Sequence, residues 1–467
     1  MPGYDNWNDY LKEGFKQARE EGREEAAIAE LEPQIEAALS EAQNGDDSRA
    51  ASLLEQLLSI PVSTQFPFNE PSDLESIKAL RANGVRRFEK SWSDDELLDK
   101  LHGAWLGRTS GCALGKPIEG FMDEHNGLAS WERQKKYLTA ISPDEWPLKD
   151  YIPAHSPAES ETGGTWCGGS QRENICYMES DDDIRYTVLG QILLHDKGRD
   201  FTSWDVARGW IRRLSYQMVC TAETQAYRNL VLRYNFHGKV DDDSTVDWNW
   251  VATHFNPYRE WIGAQIRIDS YGYAAPGNPE LAAEFAWRDA RISHVKNGIY
   301  GAMLCAAMIA ASFATDDALE IVEAGLSEIP QTSRLYKEMR QTIDICAKYN
   351  NDFAHFEDVI RDIYELLGHY NRAHTNNNAA LCVAGVLLAQ GDFHKGITFA
   401  VMGGWDTDCN GATVGSIVGA ITGARNVPQH WTARLNDTLN SEIIGYHPIA
   451  ISECARRALE IARKVNA

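Results

Sequence analysis

The sequence predicts an all-α protein, and three observations carry that prediction. Apolar residues recur at helical spacing through most of the 467 residues, and stretches of strand-like alternation are hard to find. Two series of glycines also stand four residues apart, a spacing that belongs to a helix face. Helical patterns run over 94–114, 181–196, 203–218, 279–312, 316–326, 333–347, 355–368, 376–390, 393–401, 410–424 and 449–464. A chain of this length exceeds the size at which one core usually stops growing, so a main multi-helix domain with an appended layer is expected.

The elements follow in order. Residues 1–60 place Ile28, Leu31, Ile35 and Leu39, then Leu53, Leu54, Leu57 and Leu58, at helical spacing, with Gly45-Asp46-Asp47 as a break. The Pro-punctuated stretch 61–71 reads as a linker, and a short helix is expected at 72–83. Ser93-Asp94-Asp95-Glu96 is a capping box that opens the next helix. The division is therefore an N-terminal helical extension and linker over 1–92 and a main domain over 93–467. Segment 140–180 carries Pro143, Pro147, Pro153, Pro157, Gly163, Gly164, Gly168 and Gly169, and it leads into an aspartate cluster. A loop that long is usually functional, so it is expected to lie over the site.

Charge and cysteine content narrow the function classes. The formal net charge is −23 without a Lys/Arg-rich stripe to offset it, which argues against a nucleic-acid partner. Nine cysteines are scattered with no CxxC pair, which fits a reducing cytoplasm rather than a disulfide scaffold or zinc knuckle. The first residues lack a basic segment followed by an apolar core, so no secretory signal is expected. The longest apolar stretches, near 301–313 and 411–424, fall short of a membrane span. The expectation is a cytoplasmic protein with no membrane or nucleic-acid partner; homo-oligomerisation is left open.

Glycines at 103, 107, 111 and 115, and again at 411, 415, 419 and 423, give two helices a face without side chains. Glycine costs about 1 kcal/mol relative to alanine in a helix interior, so each series requires a closely packed neighbour. If the two faces meet and run antiparallel, Glu119 comes to lie beside Asp406-Thr407-Asp408.

Two acidic clusters open helices, Ser180-Asp181-Asp182-Asp183 and Asp406-Thr407-Asp408-Cys409-Asn410. Capping and the helix dipole account for acidic residues at such positions. The two starts together also supply the oxygen ligands that Mg²⁺, Mn²⁺ or Ca²⁺ prefers. A third run, Asp241-Asp242-Asp243, precedes no clear helix and reads as a solvated turn.

These residues resemble the ADP-ribosylglycohydrolase family. The resemblance is carried by Gly111-Cys112-Ala113-Leu114-Gly115-Lys116-Pro117-Ile118-Glu119, by Ser180-Asp181-Asp182-Asp183, and by Gly403-Gly404-Trp405-Asp406-Thr407-Asp408-Cys409-Asn410, in the family's order. Ser293-His294 is similar to its Thr-His. The resemblance implies an all-helical fold with a binuclear Mg²⁺ or Mn²⁺ centre that cleaves an N- or O-glycosidic bond at ribose C1. It implies Ser180, Asp181, Asp182, Asp406, Asp408 and Cys409 as the metal-site residues, and Glu119, Asp182 and Asp406 as the catalytic carboxylates. It further implies Ser270, Gly272, His294 and Asn410 as substrate-binding residues.

Three departures qualify the resemblance. Cys409 stands where the family has Thr, and sulfur is a poor ligand for Mg²⁺, so one metal position is expected and a second is conditional. Asp183 adds charge where the family has Thr. Asp269-Ser270-Tyr271-Gly272-Tyr273-Ala274-Ala275-Pro276 stands in place of the family's glycine- and asparagine-rich diphosphate loop, with that pattern largely lost, so Tyr271 and Tyr273 are either stacking residues or core. The expected substrate is an ADP-ribosylated protein or ADP-ribosyl compound. The alternatives are a small nucleoside-like ribosyl compound or a non-catalytic relative.

Overall fold

Helices account for nearly every regular segment of the computed structural model, which describes residues 6–236 and 242–466. The opening layer is α1 (Trp7–Glu20), α2 (Glu25–Leu31), α3 (Ile35–Gln43) and α4 (Ser48–Ser59). Its small core of Leu11, Phe15, Leu53 and Leu57 closes on Ala222, Tyr258 and Trp261 of the main body. The linker is anchored: Asn69 N–H donates to Thr332 O at 3.1 Å, and Glu70 pairs with Arg334 at 2.8 Å. The short helix α5 (Leu74–Leu80) starts at Asp73, whose side chain accepts from Ser76 N–H.

The body begins with α6 (Asp94–Gly115), opened by the reciprocal Ser93–Glu96 capping box. There follow α7 (Ser130–Thr139), α8 (Glu159–Thr162), α9 (Asp182–Lys197), α10 (Ser203–Arg213), α11 (Thr221–Arg233), α12 (Trp248–Thr253) and α13 (Asp269–Ala274). The second half is α14 (Pro279–Ala290), α15 (Lys296–Ser312), α16 (Ala318–Leu326), α17 (Arg334–Lys348), α18 (Phe356–Leu367), α19 (Thr375–Ala389) and α20 (Phe393–Met402). It ends with α21 (Thr407–Thr422), α22 (Gln429–Thr432) and α23 (Ile451–Asn466). Among the described residues the one sheet pairs β1 (Thr438–Leu439) with β2 (Ile449–Ala450), antiparallel. The fold is all-α, and no described helix is long and apolar enough to cross a membrane.

Three helices, α15, α19 and α21, are buried on almost every side because their Ala, Gly and Val content leaves no polar face. Against α21 lies α6. Gly103 faces Gly419, Gly107 faces Gly415, Gly111 faces Gly411, and Gly115 meets Thr407. The pairs ascend on one helix as they descend on the other, so the helices run antiparallel with their backbones in contact.

Several elements differ from the sequence pattern. The segment 279–312 is two helices, because Ser293, His294 and Val295 leave the helical conformation and Lys296 has φ 47°. Helix α11 has no apolar signature because it buries Glu223, Thr224 and Gln225 along with Ala222 and Ala226. Asp241 lies outside the described residues; Asp242 is exposed and accepts from Ser244 N–H at 2.9 Å. Segment 140–180 braces the end of α6 and the Lys116–Phe121 turn that follows it. Trp166 N–H donates to Pro117 O at 3.0 Å and its indole to Lys116 O at 2.6 Å.

Candidate functional site

The glycine contact sets the site. Without a side chain at Gly115, the end of α6 rests on the first turn of α21, and the Thr407 hydroxyl donates to Gly115 O at 2.8 Å. The chain then passes through a tight turn over Lys116–Phe121 that carries Glu119 toward Asp406 and Asp408. Helix α9 supplies Asp182 from a third direction. These four carboxylates and Cys409 line one side of a cavity of about 100 Å³. Cys220, Thr221 and Glu223 at the start of α11, with Trp261-Ile262-Gly263 and Ala373, form the other side.

Burial governs the electrostatics. Desolvation, reinforced by Asp406, Asp181 and Asp182, pushes the Glu119 carboxyl well above its usual range. Desolvation and the Asp181 charge bring Asp182 up to about 7. Asp408 is likewise raised by burial and by Glu119, Asp181 and Asp406. Asp181 goes the other way: burial would raise it, but the Lys116 ammonium at 2.5 Å overrides that and holds it low. Burial pushes the Cys409 thiol up, so it stays neutral.

The donor set fits a divalent cation. Asp406, Asp408 and Cys409 bring ligand atoms within 4.8 Å of one another, and so do Cys112, Asp181, Asp183 and Asp408. Oδ1 of Asp406, Oδ1 of Asp408 and Oδ2 of Asp183 are buried without a hydrogen-bond partner. Buried carboxylate oxygens without donors are costly, and a hard cation is the ligand such oxygens satisfy.

Other expected residues lie elsewhere. The Ser180 hydroxyl donates to Glu442 at 2.8 Å and accepts from Arg185, while its carbonyl shares Lys116 with Asp181. Ser270 and Gly272 do not reach the cavity. Ser270 donates to Thr187 O at 2.6 Å inside the core, and a Cβ on Gly272 would strike Ile309. Tyr271 and Tyr273 are core residues, bonded to Asp289 and Ser416. His294 stands one layer behind the wall, 2.8 Å from Ser293 Oγ and 3.9 Å from Glu223. Asn410 supports from behind: its amide donates to Asn378 Oδ1 at 2.8 Å, and that oxygen also accepts from Asp406 N–H. Trp405 stacks on Tyr364 at 4.0 Å, a packing contact.

The far wall had almost no local signal. Glu223 is held by the buried Arg267, which also grips Asp289. The one sequence hint is Gly263 within the bulky run Trp261-Ile262, because a Cβ there would collide with the Glu223 carboxylate.

Comparison with known proteins agrees with the motif order. The sequence profile of the family described as ADP-ribosylglycohydrolase matches residues 93–463. A search of curated proteins finds no match. One solved structure, an "ADP-ribosylglycohydrolase-related protein complex", aligns with TM-score 0.47 and 16% identity over 79% of this chain and 99% of its own. The profile covers most of the chain, from the capping box at Ser93 into the last helix, and the chain belongs to the ADP-ribosylglycohydrolase family.

Proposed function

We propose that this chain is a divalent-cation-dependent hydrolase that cleaves the glycosidic bond at ribose C1 of an ADP-ribosylated protein or an ADP-ribosyl compound. The observation that carries this reading is the convergence of Glu119, Asp182, Asp406 and Asp408 on one cavity from three separate elements. Asp406 and Asp408 would hold Mg²⁺ or Mn²⁺ with Asp182 beside them. Such a cation supplies positive charge that fixes ribose hydroxyls and eases deprotonation of water.

The chain's own residues do the rest. Departure of the C1 substituent needs a proton on the leaving atom, and Glu119, whose buried carboxyl is held well above its usual range, would supply it. Asp182 would accept the proton of the attacking water. Trp261 and Ile262 supply apolar walls that exclude bulk water around these carboxylates.

A second reading has its own support. A cavity of about 100 Å³ is well below the roughly 300 Å³ at which pockets begin to enclose a drug-sized ligand. The cavity suits a sugar ring, and the buried Ser270–Gly272 segment offers no diphosphate loop. A small nucleoside-like ribosyl compound is therefore the alternative substrate.

The test offers an ADP-ribosylated peptide, an ADP-ribosyl small molecule and a nucleoside to the protein with Mg²⁺, reading products by mass spectrometry. Ribosyl release from one of them is expected, falling roughly 100-fold or more in Glu119→Gln and Asp182→Asn. Release from the nucleoside alone would select the second reading. Unchanged rates in both folded variants would contradict the proposal.

A further inference from the structure

Positive charge is distributed unevenly around the aspartates. In the inner group, Cys112, Asp181, Asp183 and Asp408, two carboxylates already face cations. The Lys116 ammonium donates to Asp181 Oδ2 at 2.5 Å and to Ser180 O at 2.6 Å. Arg108 meets Asp183 at 3.1 Å and Asp269 at 2.9 Å. Of the two remaining inner side chains, Cys112 is a buried thiol, and Asp408 also lines the cavity. On the cavity side the opposite holds. Among the described residues no ion pair reaches Glu119, Asp182, Asp406 or Asp408, and Asp406 and Asp408 each keep a buried oxygen without a partner.

Lys116 has little freedom to leave. Its side chain is 9% exposed and Asp181 is 7% exposed. A buried ammonium separated from its carboxylate would carry an uncompensated charge, so the pair holds itself together. A divalent ion entering the inner group would have to expel this ammonium or sit against it in a poorly screened interior. The outer carboxylates feel Lys116, Arg185 and Arg372 only beyond ion-pair distance.

We propose that the Lys116 ammonium takes the place of a second divalent cation, so that this chain binds one such ion, on the cavity side at Asp406 and Asp408. The inference rests on the metal-dependent reading above and gives it a stoichiometry. Lys116 is a positioning residue here, since it acts through Asp181.

The test is a Mn²⁺ titration of the full chain, reading free Mn²⁺ by electron paramagnetic resonance. One ion per chain is expected for wild type and for Lys116→Arg, and a second for Lys116→Met. Two ions in wild type, or a Lys116→Met isotherm identical to wild type, would overturn the inference while leaving the metal reading intact. No binding by wild type would overturn both. Because Lys116→Met can misfold, the wild-type protein also decides the matter by anomalous diffraction from crystals soaked in MnCl₂. A single peak at Asp406 and Asp408, with Lys116 still on Asp181, supports the inference. Two peaks with Lys116 displaced overturn it.

Discussion

At Asp181 one carboxylate meets both explanations that the sequence offered for its cluster. Oδ1 accepts from Asp183 N–H at 3.1 Å and caps α9, while Oδ2 receives Lys116. Capping and site-building therefore do not compete at this residue. Glu119, Asp182, Asp406 and Asp408 were legible because each sits in a short motif whose neighbours fix its direction. Glu223 was not, because it reaches the cavity through Arg267, a partner 44 positions away. Glu20 is another carboxyl raised by its surroundings. Desolvation, offset in part by Lys16 and reinforced by Glu260, lifts Glu20 on α1 to about 8 from an ordinary 4.5. A folded-state value above the unfolded one means that the contribution to stability is complete below about pH 4.5 and lost as pH rises to about 8. Glu20→Gln should therefore leave Tm nearly unchanged at pH 4.5 and raise it by several degrees at pH 8.5 in differential scanning calorimetry. An equal shift at both pH values would contradict this assignment.

Among the elements, α6 and α21 matter most to the site, since their backbone contact brings Glu119 to the aspartate turn. The glycine spacing made the close approach legible, and the pairing of Gly103 with Gly419 through Gly115 with Thr407 supplies the antiparallel register. In an isolated helix Gly→Ala gains about 1 kcal/mol. Here a Cβ on Gly111 would lie inside contact distance of the Gly411 carbonyl, a backbone atom that cannot rotate away. Gly111→Ala should accordingly destabilise by about 3 kcal/mol, the upper part of the overpacking range, in urea unfolding. A stabilised Gly111→Ala protein would show that the helices are not in contact. The Asp269–Ala274 segment stands where the family order implies a diphosphate loop. Its Tyr271 and Ser270 bonds into the core make it a buried turn of helix instead. Periodicity cannot separate those outcomes in six residues, and it also concealed the break between α14 and α15, where both flanks keep helical spacing.

Taken as a whole molecule, the chain assembles its site from distant parts: Glu119 and Asp182 come from the first half, Asp406 and Asp408 from the last quarter. The N-terminal layer stands behind the opposite wall. Gln17 donates to Glu260 at 2.6 Å, Arg259 donates to Glu21 at 2.7 Å, and the layer's core includes Trp261, which lines the cavity. No sequence pattern announces this arrangement, because it depends on packing between segments more than 200 residues apart. On the proposed reading, hydrolysis at this cavity needs both a divalent cation and the paired aspartates. That requirement is tested most directly by ribosyl release from EDTA-stripped protein titrated with Mn²⁺, with Asp406→Asn measured alongside. Activity is expected to be lost on stripping and restored by Mn²⁺ in wild type, with no restoration in Asp406→Asn. Full activity in the stripped protein, or equal recovery in the variant, would contradict it.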